Sequence, residues 1–115
     1  MKRINHFIFL CFLSLVFTTT AFARPPSKID LNYDAKEKNL HMELAHISEN
    51  PQKHHIRSLF IYQNDLEIKK LKYNTQTSPS QLIEDVSLDA KSGDVIRVLA
   101  ICNKAGRKEE TLVIP

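Results

Sequence analysis

Residues 95–102 read Val-Ile-Arg-Val-Leu-Ala-Ile-Cys, with neither glycine nor proline to interrupt them. In an extended chain successive side chains point to opposite faces, so Ile96, Val98, Ala100 and Cys102 share one apolar face. The segment follows a turn signal, Lys91-Ser92-Gly93-Asp94, and precedes a loop, Asn103 to Lys108, that contains one glycine. The same period of two recurs in Leu40, Met42 and Leu44, which alternate with His41, Glu43 and Ala45, and His46 falls next on the apolar face at the strand's end. Ile56 to Tyr62 is dense in β-formers on both faces. It breaks at Gln63-Asn64-Asp65, a turn signal, and Leu66 to Tyr73 can return as its hairpin partner. Asn74 to Ser80 is polar and holds Pro79, so it reads as a loop, and Leu82 to Leu88 follows as a shorter strand. With Thr111 to Ile114 closing the chain and Ile29 to Tyr33 as a first strand, the pattern predicts an all-β fold of about seven strands, the count of an immunoglobulin-like β-sandwich. There is no helical periodicity, internal repeat or low-complexity tract.

The N-terminus sets the expected compartment. Lys2 and Arg3 precede the apolar run Phe7 to Phe17, and Ala21-Phe22-Ala23 supplies small residues before Arg24. That order is the one secretory signals follow, and the run falls short of the roughly 20 apolar residues a spanning helix needs. Residues 1–23 are therefore expected to be a signal peptide, residues 24–38 an N-terminal segment, and residues 39–115 the β-sandwich domain. The expected location is the periplasm or the secreted fraction, with no membrane attachment after cleavage. Without the signal, Lys2 and Arg3 leave the count of 16 basic residues, and 14 stand against 13 acidic ones. Such a balance argues against nucleic acid as a partner, because its binders carry a basic excess or stripe.

Cys102 is the one thiol left after cleavage, since Cys11 lies in the apolar run. A single cysteine cannot close an internal disulfide in an exported protein. Thiolate and imidazole are the usual protein ligands of iron, zinc and copper, which makes Cys102, His46 and the pair His54-His55 candidate metal ligands, with His41 a weaker one because it faces away from Leu40 and Leu44. Adjacent strand residues point apart, so only one of His54 and His55 can join a site. Plainer readings exist for each: a buried inert thiol, a solvated histidine loop, a strand-end histidine. The run Lys69-Lys70-Lys72 reads as a charged edge strand, and its lysines can also steer a small anion.

Taken in order, His46, then Lys53-His54-His55-Ile56, then Gly93-Asp94-Val95-Ile96-Arg97-Val98, then Cys102-Asn103-Lys104-Ala105-Gly106 resemble the iron-binding domain of the desulfoferrodoxin (superoxide reductase) family. The resemblance spans roughly His41 to Pro115. It implies a sandwich carrying one mononuclear non-haem iron with four equatorial histidines and an axial thiolate, and a sixth position open to superoxide. Carried over, Cys102 is the axial ligand and His46 and His54 are equatorial ones, while His55 stands where the family has tyrosine and Ala105 where its loop has histidine. No segment upstream of His41 supplies the family's first histidine or its lysine.

Three readings follow. The first is an iron-dependent oxidoreductase or electron carrier whose partners are a small anion such as superoxide and a protein electron donor. The second is a metal-free binding module similar to the small sandwich subunit of the thiosulfate-oxidation carrier. The third is a zinc- or copper-handling protein that uses the same ligands without turnover; affinity rises along the series from iron to copper, so ligand type alone does not select the ion.

Overall fold

The computed structural model describes residues 25–115, and the expected signal peptide lies outside them. Seven strands, β1 (Lys28–Asp34), β2 (Asn39–Ala45), β3 (Ile56–Gln63), β4 (Leu66–Lys72), β5 (Gln81–Ser87), β6 (Val95–Cys102) and β7 (Arg107–Val113), form two antiparallel sheets. One sheet has the order β1-β2-β5 and the other β4-β3-β6-β7. The described residues contain no helix, and hence none long and apolar enough to cross a membrane. This is the expected immunoglobulin-like β-sandwich, with the strands crossing between sheets as that topology requires.

The core is the sum of the inward faces read from the alternation. Leu40, Met42 and Leu44 of β2 meet Leu59 and Ile61 of β3 and Ile96, Val98 and Ala100 of β6, all fully buried. A continuous apolar layer between two sheets is the main stabilising term in a domain this small. Tyr33 closes one end of the layer by donating its hydroxyl to Leu88 O at 2.7 Å and accepting from Ala90 N at 3.0 Å. Burial raises the Tyr73 hydroxyl well above its ordinary range, helped by Glu84, to which it donates at 2.7 Å, and this bond links the end of β4 to β5.

Turn chemistry sets the registers. Asn64 and Asp65 both have positive φ, 52° and 68°, and join Gln63 to Leu66 in the hairpin expected there, with Gln63 still paired so that the loop has two residues. Gly93 takes φ 91° in the Lys91–Asp94 turn, whose closure is a bond from Asp94 N to Lys91 O at 3.0 Å. The last strand departs from the sequence expectation by starting at Arg107, four residues before Thr111. Arg107-Lys108-Glu109-Glu110 carries no apolar signal, and its strand state comes from pairing with Val98 to Ile101 of β6. β4, with its lysines, is an edge strand of the larger sheet, as expected.

Candidate metal centre

Three segments distant in sequence end at one pole of the sandwich. β2 runs out at Ala45, and His46 continues its buried face with no accessible surface. β6 ends at Cys102, which is 5% exposed and lies at the end of the Ile96, Val98, Ala100 column. Antiparallel pairing of β3 with β6 sets Ile56 opposite Cys102, which brings His54, two residues earlier, to the same rim. His54 Nε2 lies 3.1 Å from Cys102 Sγ, and the His46 and His54 rings meet edge to face with centroids 4.6 Å apart and planes at 81°. One donor atom from each of His46, His54 and Cys102 lies within 4.8 Å of the other two. Among the described residues this is the only group of three or more potential ligands so arranged.

Each ligand is held by its own local structure. Lys53 N and His54 N both donate to Asn50 O, at 3.0 and 2.8 Å, which makes the turn that presents His54. Asn103 then clamps that turn from the far side. Its side chain donates to Lys53 O at 3.0 Å and accepts from His55 N at 2.9 Å, and its backbone N donates to His55 O at 3.0 Å. Ser48 ties the two histidine segments together, with Oγ donating to His54 O at 2.5 Å. The sulfur accepts from Lys104 N at 3.4 Å, which aims a backbone dipole at the candidate ligand atom. Gly106 closes the cysteine loop by accepting from Cys102 N at 3.1 Å. It takes φ 84°, and a Cβ there would sit 2.3 Å from the Pro25 side chain.

The structure separates the other two candidate histidines from this cluster. His41 lies on the outer face of the β1-β2-β5 sheet, where Nδ1 meets Asp85 Oδ1 at 2.8 Å and Nε2 meets Glu43 Oε2 at 3.0 Å. His55 turns inward elsewhere, donating Nδ1–H to Pro51 O at 2.9 Å. Ala105 offers no donor atom. The arrangement is thus a three-donor set of two imidazoles and one thiol, and the four-histidine plane of the desulfoferrodoxin type is not assembled from these residues.

That donor set fits a transition-metal ion. With metal–sulfur bonds near 2.3 Å and metal–nitrogen bonds near 2.0–2.1 Å, tetrahedral ligand atoms are about 3.3–3.6 Å apart. The observed spacing, 3.1 Å for His54 to Cys102 and at most 4.8 Å over the set, brackets that range, so ångström-scale side-chain adjustment suffices. Three protein donors would leave at least one position for water or a small molecule, and His54 is the only partly exposed member of the set.

Gln76 was not identifiable from sequence as part of the site. It lies in the loop between β4 and β5, is 7% exposed, and contacts His46 with its amide oxygen. A glutamine in a polar loop gives no sign of burial, and only the packing of that loop onto His46 reveals it. Asn103, by contrast, follows Cys102 directly in the chain. Comparison with protein-family models, with curated proteins and with solved structures returns no match to this chain.

Proposed function

We propose that the protein is an exported metalloprotein that holds one iron ion through His46, His54 and Cys102 and serves as a one-electron centre toward a small oxygen-derived anion such as superoxide, recharged by a protein electron donor. The observation that carries the reading is the convergence of two imidazoles and a thiol, from three separate segments, within 4.8 Å of one another. Iron accepts such mixed nitrogen and sulfur donors, and when bound it would supply the reversible one-electron couple. The protein's own part is to orient the imidazoles, lend a backbone N–H to the sulfur and leave the His54 side open. Conversion of superoxide to hydrogen peroxide takes up one electron and two protons, so the donor protein supplies the electron and solvent on the His54 side supplies the protons.

A second reading is zinc or copper handling without turnover. It is favoured by the donor count, because three protein ligands with an open position is the habit of zinc sites that keep a water.

The test is to purify the protein and its Cys102→Ser variant, determine bound metals by mass spectrometry, and record absorption for a thiolate-to-iron band together with superoxide consumption. One iron per chain in wild type, a visible band lost in Cys102→Ser, and superoxide turnover support the first reading. One zinc or copper without turnover supports the second. Equal, sub-stoichiometric metal in both proteins ends the metal readings in favour of a metal-free binding module. If iron binds but superoxide is not consumed, Ala105→His restores the donor type that the desulfoferrodoxin loop carries and is the variant to measure next.

A further inference from the structure

We propose that Gln76 is the positioning residue of the metal centre: its side-chain amide holds His46 in the tautomer with hydrogen on Nδ1, so that His46 meets a metal ion through Nε2. The proposal rests on the reading of this pole as a metal centre.

The geometry fixes the amide first. Gln76 Nε2 lies 2.7 Å from His46 O and 3.0 Å from Ser78 O, while Oε1 lies 2.8 Å from His46 Nδ1 and 3.4 Å from Ile56 N. Two carbonyls require donors opposite them, and the Ile56 N–H requires an acceptor. The reverse orientation would set oxygen against both carbonyls and the amide hydrogens against that N–H, losing these three bonds at a buried site and keeping only one, from the amide to His46 Nδ1. Oε1 therefore faces Nδ1, and an amide oxygen can only accept, so the proton is on Nδ1 of His46. In a neutral imidazole the lone pair then lies on Nε2.

The same amide grips His46 twice, once by its ring and once by its own carbonyl. Rotation of the ring away from the site would break the first bond while the second keeps the backbone in place. The loop that carries Gln76 is itself anchored: Ile83 N donates to Thr77 Oγ1 at 2.9 Å, Ser78 and Gln81 pair across the loop, His46 N donates to Ser80 O, and Ser48 N donates to Pro79 O. Partners of this kind on the far nitrogen of a ligating histidine set its tautomer and ring direction, and their loss typically lowers metal affinity about 10–100-fold.

The decisive experiment needs no variant. Long-range proton–nitrogen NMR correlation on the purified, metal-free protein, labelled with ¹⁵N, should show His46 protonated at Nδ1; protonation at Nε2 alone overturns the proposal. Affinity is read by titration with Co²⁺. Gln76→Leu should bind it about 10–100-fold more weakly than wild type. Gln76→Glu should restore most of that loss, because its carboxyl still places an acceptor oxygen on Nδ1–H. A folded Gln76→Leu variant with wild-type Co²⁺ affinity overturns the proposal, and if that variant does not fold, the tautomer measurement decides. Wild type that binds no metal at all refutes the metal centre itself, a result distinct from finding the wrong tautomer.

Discussion

Strand β2 carries two histidines with opposite fates, His41 in its middle and His46 just past its end. His41 faces solvent between two carboxylates, and Asp85 first, then Glu43, raises its pKa above the ordinary value by hydrogen bonding to the charged ring. His46 is on the other face, fully buried, and its Nδ1 meets the uncharged amide of Gln76. The difference shows that what a histidine does is set by the charge of its partner as much as by its place in the chain. A carboxylate on each nitrogen stabilises the imidazolium and occupies both potential ligand atoms. An amide oxygen on one nitrogen keeps the ring oriented and directs the other nitrogen's lone pair toward the site. One strand and its exit thus supply a surface histidine biased toward its charged form and a candidate metal ligand, five residues apart.

Removing donors tests this contrast with the largest effect. His54→Ala and Cys102→Ser should each weaken Co²⁺ or Zn²⁺ binding by more than the roughly 10–100-fold that loss of an outer partner costs, because each removes a bonding atom itself. His41→Ala should bind within about twofold of wild type, as the outer-face position lies outside the cluster. Calorimetric titration measures all three, and a His41→Ala loss comparable to that of His54→Ala would collapse the distinction between the two histidines.

The two glycines sharpen the contrast between the ends of the sandwich. Gly93 and Gly106 both have positive φ, 91° and 84°, so Ala at either carries about 1–2 kcal/mol of backbone strain. Nothing lies within 4 Å of a Cβ at Gly93, whereas one at Gly106 meets Pro25 at 2.3 Å. Gly106→Ala should therefore cost more stability than Gly93→Ala in urea unfolding, and it alone should also weaken metal binding, since Gly106 O accepts from Cys102 N. Equal costs with unchanged metal affinity would show that the Pro25 contact does not brace the cysteine loop.

Much of this was legible in the sequence because alternation is a local signal. The column Leu40, Met42, Leu44 predicts where His46 points, and Ile96, Val98, Ala100 does the same for Cys102, so two of the three donors were readable from strand period alone. The third was not. Of the adjacent His54 and His55 only one was expected to join the site, but which one depends on the turn at Asn50 and on the Asn103 clamp, both tertiary. The start of β7 was hidden for a related reason: its charged residues are extended because β6 pairs with them. Gln76 was invisible because burial of a loop amide depends on what the loop folds over.

The smallest effect concerns His41 and protons. Its folded-state pKa is raised, so its contribution to stability is fully present below the unfolded value near 6.5 and fades as pH rises through the folded one. Asp85 has a lowered pKa, from Asn39 first and His41 second, so its share is present above the unfolded carboxylate value near 4 and is lost as pH falls through the folded one. The two conditions overlap between about pH 4.5 and 6.5. Wild type should therefore exceed His41→Gln in melting temperature by the most near pH 5.5, with the gap closing by pH 8.5 as the imidazolium discharges. The gap should also shrink in high salt, because the groups face solvent and their attraction is screened. Melting curves of the two proteins at those pH values measure it. A gap that is the same at both would mean that His41 acts by packing alone, and that the carboxylates beside it do not distinguish it from His46.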